Sequence, residues 1–215
     1  EFDAKDILHV RIDRKRKLPA TALLYALGMD AEGILDSFYG RVVYRMDKAG
    51  WVTSFRPEAW RGSKPSFDLV DARTGKVMAA EGKKLTALRA RKLAQEEGLE
   101  ELLVPSAHLE GQYSATDIVN VTTGEIYAEA GDELSEEIIA SIREAGIEAV
   151  EVLDVTGRGA WLRNTLKVDK TETRFDALSD IYRVMRPGEP PTQDAADALF
   201  NQLFFDPERY DLSAV

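Results

Sequence analysis

The chain has 215 residues, 44% of them hydrophobic and 31% charged, a balance that excludes a disordered polyelectrolyte and supplies enough apolar side chains for one medium-sized domain or two small ones. Its net charge of -10 argues against a surface built throughout to coat nucleic acid, and its lack of cysteine excludes a disulfide framework, a thiolate metal site and a cysteine nucleophile. No stretch approaches the roughly 18 uninterrupted apolar residues of a membrane span. The opening EFDAKDILHV lacks the basic-then-apolar pattern of a signal peptide, so a soluble, cytoplasmic protein is expected, and the missing initiator Met suggests an excised fragment.

In chain order, the first feature is RIDRKRK, where Arg11, Arg14, Lys15, Arg16 and Lys17 outnumber Asp13. Read as an extended segment, alternation puts Arg14 and Arg16 on one face and Asp13, Lys15 and Lys17 on the other. Pro19 then favours a first helical turn, ATALLYAL runs to a stop at Gly28, and a second helix follows Asp30 through Ile34, Leu35 and Phe38. RVVYRMDKAGWVTSF reads as a hairpin turning at Asp47 to Gly50.

Next comes an internal repeat. DLVDARTGKVMAAEGKKL (68–85) aligns without gaps on DIVNVTTGEIYAEAGDEL (117–134), matching Asp68 with Asp117, Thr74-Gly75 with Thr123-Gly124, Gly82 with Gly131 and Leu85 with Leu134. Each copy reads as strand, Thr-Gly turn, strand, a helix opened by Thr86 or Ser135, and a closing strand, LEELLV or IEAVEVL. Ala90 and Leu93 correspond to Ile139 and Ile142, three apart on one helical face, so the two copies are expected to share a core. Beyond the repeat, Phe175, Leu178, Ile181 and Met185 mark the apolar face of a helix that Pro187 stops. Thr192 caps a last helix whose apolar side is Ala195, Ala196, Leu199, Phe200 and Leu203.

This pattern predicts an α+β protein. A discontinuous, mainly helical domain, residues 1–38 and 159–215, is interrupted by an αβ domain, residues 39–158, that contains the duplicated strand-turn-strand-helix-strand module, about 68–105 and 117–153. The middle carries 15 basic and 21 acidic groups and therefore most of the negative charge.

Enzymatic motifs are sparse. There is no G-x-x-x-x-G-K-[ST], no G-x-G-x-x-G and no H-E-x-x-H, and the two histidines, His9 and His108, read as structural. Glu96, Glu97, Glu100 and Glu101 surround a helix end and read as a solvated face. Trp51, Trp60 and Trp161 are scattered, as packing residues are. The basic run is either a salt-bridged edge or a DNA contact, and Arg183 and Arg186, three apart at a helix end, fit either the helix dipole or DNA.

Three blocks are more specific: VRIDRKRKLPAT, LRNTLKVDKTETRFDALSDIYRVMRPGEPPT and LFFDPERYDLSAV. Together they resemble consecutive parts of one lobe of the bacterial RNA polymerase beta subunit, and the middle resembles the lineage-specific insertion found in that lobe. GRGAWLRNT departs from the family in having Ala160-Trp161 where Pro-Tyr is usual. The resemblance implies a non-catalytic piece of a nucleotidyltransferase, with no cofactor of its own, since the magnesium of the parent enzyme is bound elsewhere. It also implies partners: downstream and non-template DNA, the alpha, beta-prime, omega and sigma subunits, and transcription factors on the insertion. A bacterial cytoplasmic, nucleoid-associated location without membrane contact follows. Asp13, Arg14, Arg186 and Arg209 match residues of the family's DNA-facing surface, with Arg183 a further candidate. The arginines are expected on phosphates, with Asp13 in a polar, orienting role. The competing readings are a protein-docking module with no DNA contact of its own, and a free-standing hydrolase motivated only by abundant Asp and Glu.

Overall fold

The computed structural model describes residues 1–208. In order, the chain forms β1 (His9–Val10), β2 (Leu18–Pro19), α1 (Ala20–Ala26), α2 (Ala31–Phe38), β3 (Gly40–Asp47), β4 (Gly50–Ser54), α3 (Pro57–Trp60), β5 (Leu69–Asp71) and β6 (Val77–Ala79). It continues through α4 (Ala87–Gln95), β7 (Glu101–Val104), a 3₁₀ turn at Ser106–His108, β8 (Ile118–Val119), β9 (Ile126–Ala128), α5 (Glu136–Glu144), β10 (Ala149–Asp154), α6 (Trp161–Val168), α7 (Arg174–Met185) and α8 (Gln193–Phe204). All described sheets are antiparallel. Two compact units result: residues 1–38 together with the chain from Gly159 onward, and residues 39–158.

The first unit is helical apart from the short β1–β2 pair. α1 packs against α6 and α7, and α7 packs against α8. α7 opens with a reciprocal cap: Thr173 Oγ1 accepts from Asp176 N–H at 3.2 Å while Asp176 Oδ2 accepts from Thr173 N–H at 3.0 Å. The predicted Leu178 and Ile181 are buried, joined by Ala177 and Tyr182, whereas the predicted Phe175 is 41% exposed and Met185 only partly buried. α7 packs against both α1 and α8, so its buried face is not the single stripe predicted. Phe38, where the chain leaves this unit, meets Trp161, just after it returns, edge-on at 6.1 Å.

The basic run is not the extended segment predicted. Lys15 N–H donates to Ile12 C=O at 2.9 Å, and Asp13 and Arg14 both have left-handed backbones, φ 48° and 57°. These features define a type I′ turn, with the buried Ile12 anchoring its base. Aspartate tolerates this conformation, and the pairing of Val10 with Leu18 forces the chain to double back between them.

The second unit is built on a six-stranded sheet in the order β10-β3-β4-β7-β5-β6, with β8–β9 as a separate pair. Its core is one cluster that draws Leu69, Ala90, Leu93 and Leu102 from the first copy, Ile118, Ile139, Ile142 and Val152 from the second, and the wholly buried Trp51 from β4. The matched aspartates do the same work in both copies: Asp68 Oδ1 accepts from Glu81 N–H and Asp117 Oδ1 from Ala130 N–H, each at 2.8 Å, closing the hairpin behind its turn. In the Thr-Gly turns, Gly75 and Gly124 have φ near +70°, and their N–H groups donate to Asp71 and Asn120 C=O.

The repeat reaches further back than the sequence alignment. Gly62 N–H donates to Leu85 C=O while Leu85 N–H donates to Ser63 C=O, and Gly111, Leu134 and Gln112 reproduce the pair. The gapless register does not continue to the closing strands, because the first copy has one residue more between its helix and Leu99 than the second has before Ile147.

Gly50 lies against β7 so closely that an added Cβ would stand 2.2 Å from Val104 O, a backbone atom with no freedom to move aside. Gly75→Ala meets nothing within 4 Å and pays only for its left-handed backbone. Urea denaturation is therefore expected to show a loss of about 1 kcal/mol for Gly75→Ala and a larger one, about 3 kcal/mol, for Gly50→Ala. Equal losses would contradict the packing described.

Candidate nucleic-acid interface

The type I′ turn presents four consecutive cations, Arg14, Lys15, Arg16 and Lys17, all exposed, and none forms an ion pair with a described residue. Arg11 differs: its guanidinium is held by Glu1, Nε at 3.2 Å and Nη2 at 3.1 Å, and donates to Lys15 C=O at 3.2 Å, bracing the turn. That pairing also holds the Glu1 carboxyl below its usual range, the hydrogen bond from Arg11 being the main cause.

Several arginines of the second unit are neutralised instead. Arg41 pairs with Glu151 and Arg45 with Glu101, both at 2.5 Å, Arg73 pairs with Glu100 at 3.1 Å, and Arg56 and Arg89 are bonded to Asp154 and Glu97. Lys92 stands 3.7 Å from Glu96. The glutamates at the end of α4 are thus partners for cations, and among the described residues no group of three or more His, Asp or Glu side chains is placed to hold a metal ion.

Of the residues singled out by sequence, Asp13 and Arg14 form the tip of the turn. Arg183 and Arg186 are exposed at the end of α7, Arg183 paired with Asp180 at 2.7 Å and Arg186 with Glu189 at 3.6 Å. Such exposed pairs contribute about 0–1 kcal/mol, so a phosphate can replace the carboxylate at little cost. Arg209 lies outside the described residues.

The fold joins the basic run to the end of α7 through Arg16: Arg16 and Leu18 share a groove with Asp180, Arg183, Val184 and Pro187. Arg186 lines a different depression, with Tyr182, Ala195 and Leu199. Its guanidinium lies 5.9 Å from the centre of the Tyr182 ring, and Tyr182 Oη donates to Glu189 at 2.9 Å, so ring and carboxylate hold it from two sides. The bond to Glu189 is the main cause of an upward shift of the Tyr182 hydroxyl, which keeps it a donor. The pairing of Arg16 with Arg183 was not readable from the sequence, whereas the PGEPP segment that carries Glu189 was a usable signal for the bracing of Arg186.

His108, in the second unit, is packed among Trp60, Phe67 and Tyr44, its ring stacked on Trp60 at 5.5 Å. Burial without a charged partner lowers its pKa to about 4, so it is neutral at pH 7.

No family model matches the chain. Among curated proteins, it is 58% identical over 217 aligned residues to the DNA-directed RNA polymerase subunit beta of Caulobacter vibrioides, 55% to that of Rhizobium leguminosarum bv. trifolii over 217, and 54% to that of Jannaschia sp. over 228. Each alignment covers all of this chain, which spans 16% of the length of those relatives.

The unfolded chain takes up the His108 proton near the ordinary value of 6.5, the folded chain only near 4. Between these values the unfolded state binds more protons, so lowering the pH from 7 to 4 removes about 3 kcal/mol of stability through this one ring. An NMR titration is expected to leave the His108 imidazole resonances flat from pH 8 to about 5.5. A midpoint between 6 and 7 would show that the ring is not desolvated.

Proposed function

The chain belongs, as a segment, to the beta-subunit family of bacterial DNA-directed RNA polymerase, and from that premise we propose that its first unit is the DNA-side lobe of the subunit and its second the lineage-specific insertion of that lobe. In this reading the segment supplies contact and positioning but no chemistry. Nucleotidyl transfer and its magnesium belong to other parts of the polymerase.

The supporting observation is the contrast between the basic run and the arginines that are paired with carboxylates elsewhere in the chain. Four adjacent cations on a rigid turn, without carboxylate partners among the described residues, repel one another, and they gain most when a polyanion reaches them. Arg41, Arg45, Arg56, Arg73 and Arg89 of the acidic second unit have carboxylates already.

Arg14, Arg183, Arg186 and Arg209 contact phosphates of the downstream or non-template strand, and Asp13 orients the turn or reads a polar edge. The left-handed backbone at Asp13 and Arg14 suits this role because it fixes the tip of the turn before DNA arrives, so less conformational freedom is lost on binding. The acidic second unit is a platform for other proteins, transcription factors among them. The alpha, beta-prime, omega and sigma subunits complete the assembly in the bacterial cytoplasm. A docking module with no DNA contact of its own is the alternative, favoured by the charge of the second unit alone.

Anisotropy of a labelled single-stranded oligonucleotide, titrated with this chain at several salt concentrations, tests the proposal. Weak binding that falls with salt is expected. Changing Arg14, Arg186 and Arg209 together to Ala should lower the affinity and reduce the slope of log K against log salt by roughly 2, about 0.7 for each phosphate that is no longer neutralised. Binding undiminished in the variant, or absent from the parent chain, would favour the docking module.

A further inference from the structure

In the duplicated framework of the second unit, a position that is buried in one copy is only partly buried in the other. In the register that pairs Asp68 with Asp117, Trp60 corresponds to Leu109, Arg56 to Pro105 and Ala59 to His108. Leu109 is a core residue with 1% exposure, whereas Trp60 is only partly buried. Beside Trp60 opens a cavity of about 280 Å³ lined by Trp60, His108, Tyr44, Gln112, Arg56 and Asp154. The cavity lies between the two copies, since it takes Ala59 and Ser63 from the first and the equivalent His108 and Gln112 from the second, and the difference between these side chains makes its two sides unlike.

Those side chains define a chemistry. Trp60 and His108 stack on each other, their planes 21° apart and their ring centres 5.5 Å apart, and the pair lines one side of the space. Tyr44 Oη stands 3.3 Å from His108 Nε2 and accepts from Gln112 Nε2 at 3.3 Å, while Gln112 Nε2 also donates to His108 C=O at 2.6 Å. These bonds fix the positions of a hydroxyl, an amide and an imidazole around the space. Arg56 and Asp154 are bonded to each other and offer no net charge. Burial alone would raise the Asp154 carboxyl, but hydrogen bonds from Arg56 and Thr156 outweigh it and keep the carboxylate ionised. With neutral His108, the lining favours neither a cation nor an anion, because either would meet the like member of the Arg56–Asp154 pair. The volume lies just below the roughly 300–1,000 Å³ of sites for drug-sized ligands, which suits a single ring system.

We propose that this cavity binds one uncharged, flat aromatic or heteroaromatic group, packed against the stacked Trp60–His108 pair with its polar edge toward Tyr44 and Gln112. The group can arrive as a free small molecule or as a side chain of a protein.

NMR titration of the full chain with indole, and separately with N-acetyl-tryptophanamide, tests this. Only two histidines exist, so the His108 imidazole can be followed together with the Gln112 side-chain amide. Saturable shifts of both groups, with a dissociation constant on the order of 1 mM, are expected for indole. Benzoate and benzylamine should bind at least about tenfold more weakly, since each brings a charge the lining does not match. Ala59→Phe, which fills the cavity from its wall, should abolish the shifts, and the smaller Ala59→Val should weaken them while the rest of the spectrum stays unchanged. Saturation by indole alone would identify a free ring as the ligand; saturation by both probes would show that a protein chain can present it. Shifts that rise without saturating, that survive in Ala59→Val unchanged, or that the charged probes produce equally would overturn the proposal.

Discussion

The first unit depends on holding α1, near the start of the chain, against helices that follow the second unit. Arg174 Nε donates to Ala26 C=O at 3.1 Å, satisfying a carbonyl at the C-terminal end of α1, and its Nη2 reaches Asp197 on α8 at 2.8 Å. Thr21 Oγ1 donates to Asp169 at 2.5 Å, and Leu8 N–H donates to the buried Thr165 Oγ1 at 2.9 Å. Each bond joins residues distant in the chain, so the unit is complete only when both of its stretches are present. The intervening chain adds little to the cost of closure, because loop entropy grows only with the logarithm of length. The edge-on contact of Phe38 and Trp161 keeps the ends of the two stretches of the first unit together.

Within the second unit, stability comes from a hairpin latch used twice. A carboxylate that accepts a backbone N–H across the hairpin replaces a ladder bond that the short strands are too brief to make. With both hairpins fixed in this way, α4 and α5 can lay Leu93 and Ile142 into one core beneath Trp51. The copies diverge in what surrounds the latched hairpins: β5–β6 extends the large sheet while β8–β9 is a separate pair, and Trp60 is only partly buried where Leu109 is a core residue.

Charge follows the same partition. The second unit has more carboxylates than cations, and Arg41, Arg45, Arg56, Arg73 and Arg89 are held in pairs with them. The turn at Asp13 and Arg14 concentrates positive charge, and none of Arg14, Lys15, Arg16 and Lys17 forms an ion pair with a described carboxylate. A net charge of -10 is therefore compatible with a local cationic surface, since exposed charges more than about 10 Å apart are largely screened at moderate salt.

Features set by neighbours a few residues apart were legible in the amino-acid order. The Thr86, Ser135 and Thr192 caps, the turn between Asp47 and Gly50 and the twice-used Asp and Gly positions depend on local hydrogen bonds and backbone sterics that the residue types largely determine. The tertiary structure decided the rest. Ala177 and Tyr182 are buried beside Leu178 and Ile181 while Phe175 is exposed because α7 is packed by both α1 and α8, and the basic run became a left-handed turn because Val10 pairs with Leu18. Arg16 met Arg183, and Trp60 met His108, across sequence distances that no local pattern encodes. Which side chains share a groove or a cavity is set by the packing of whole elements, and that packing is a compromise among many long-range contacts, each too weak to be read from the sequence alone.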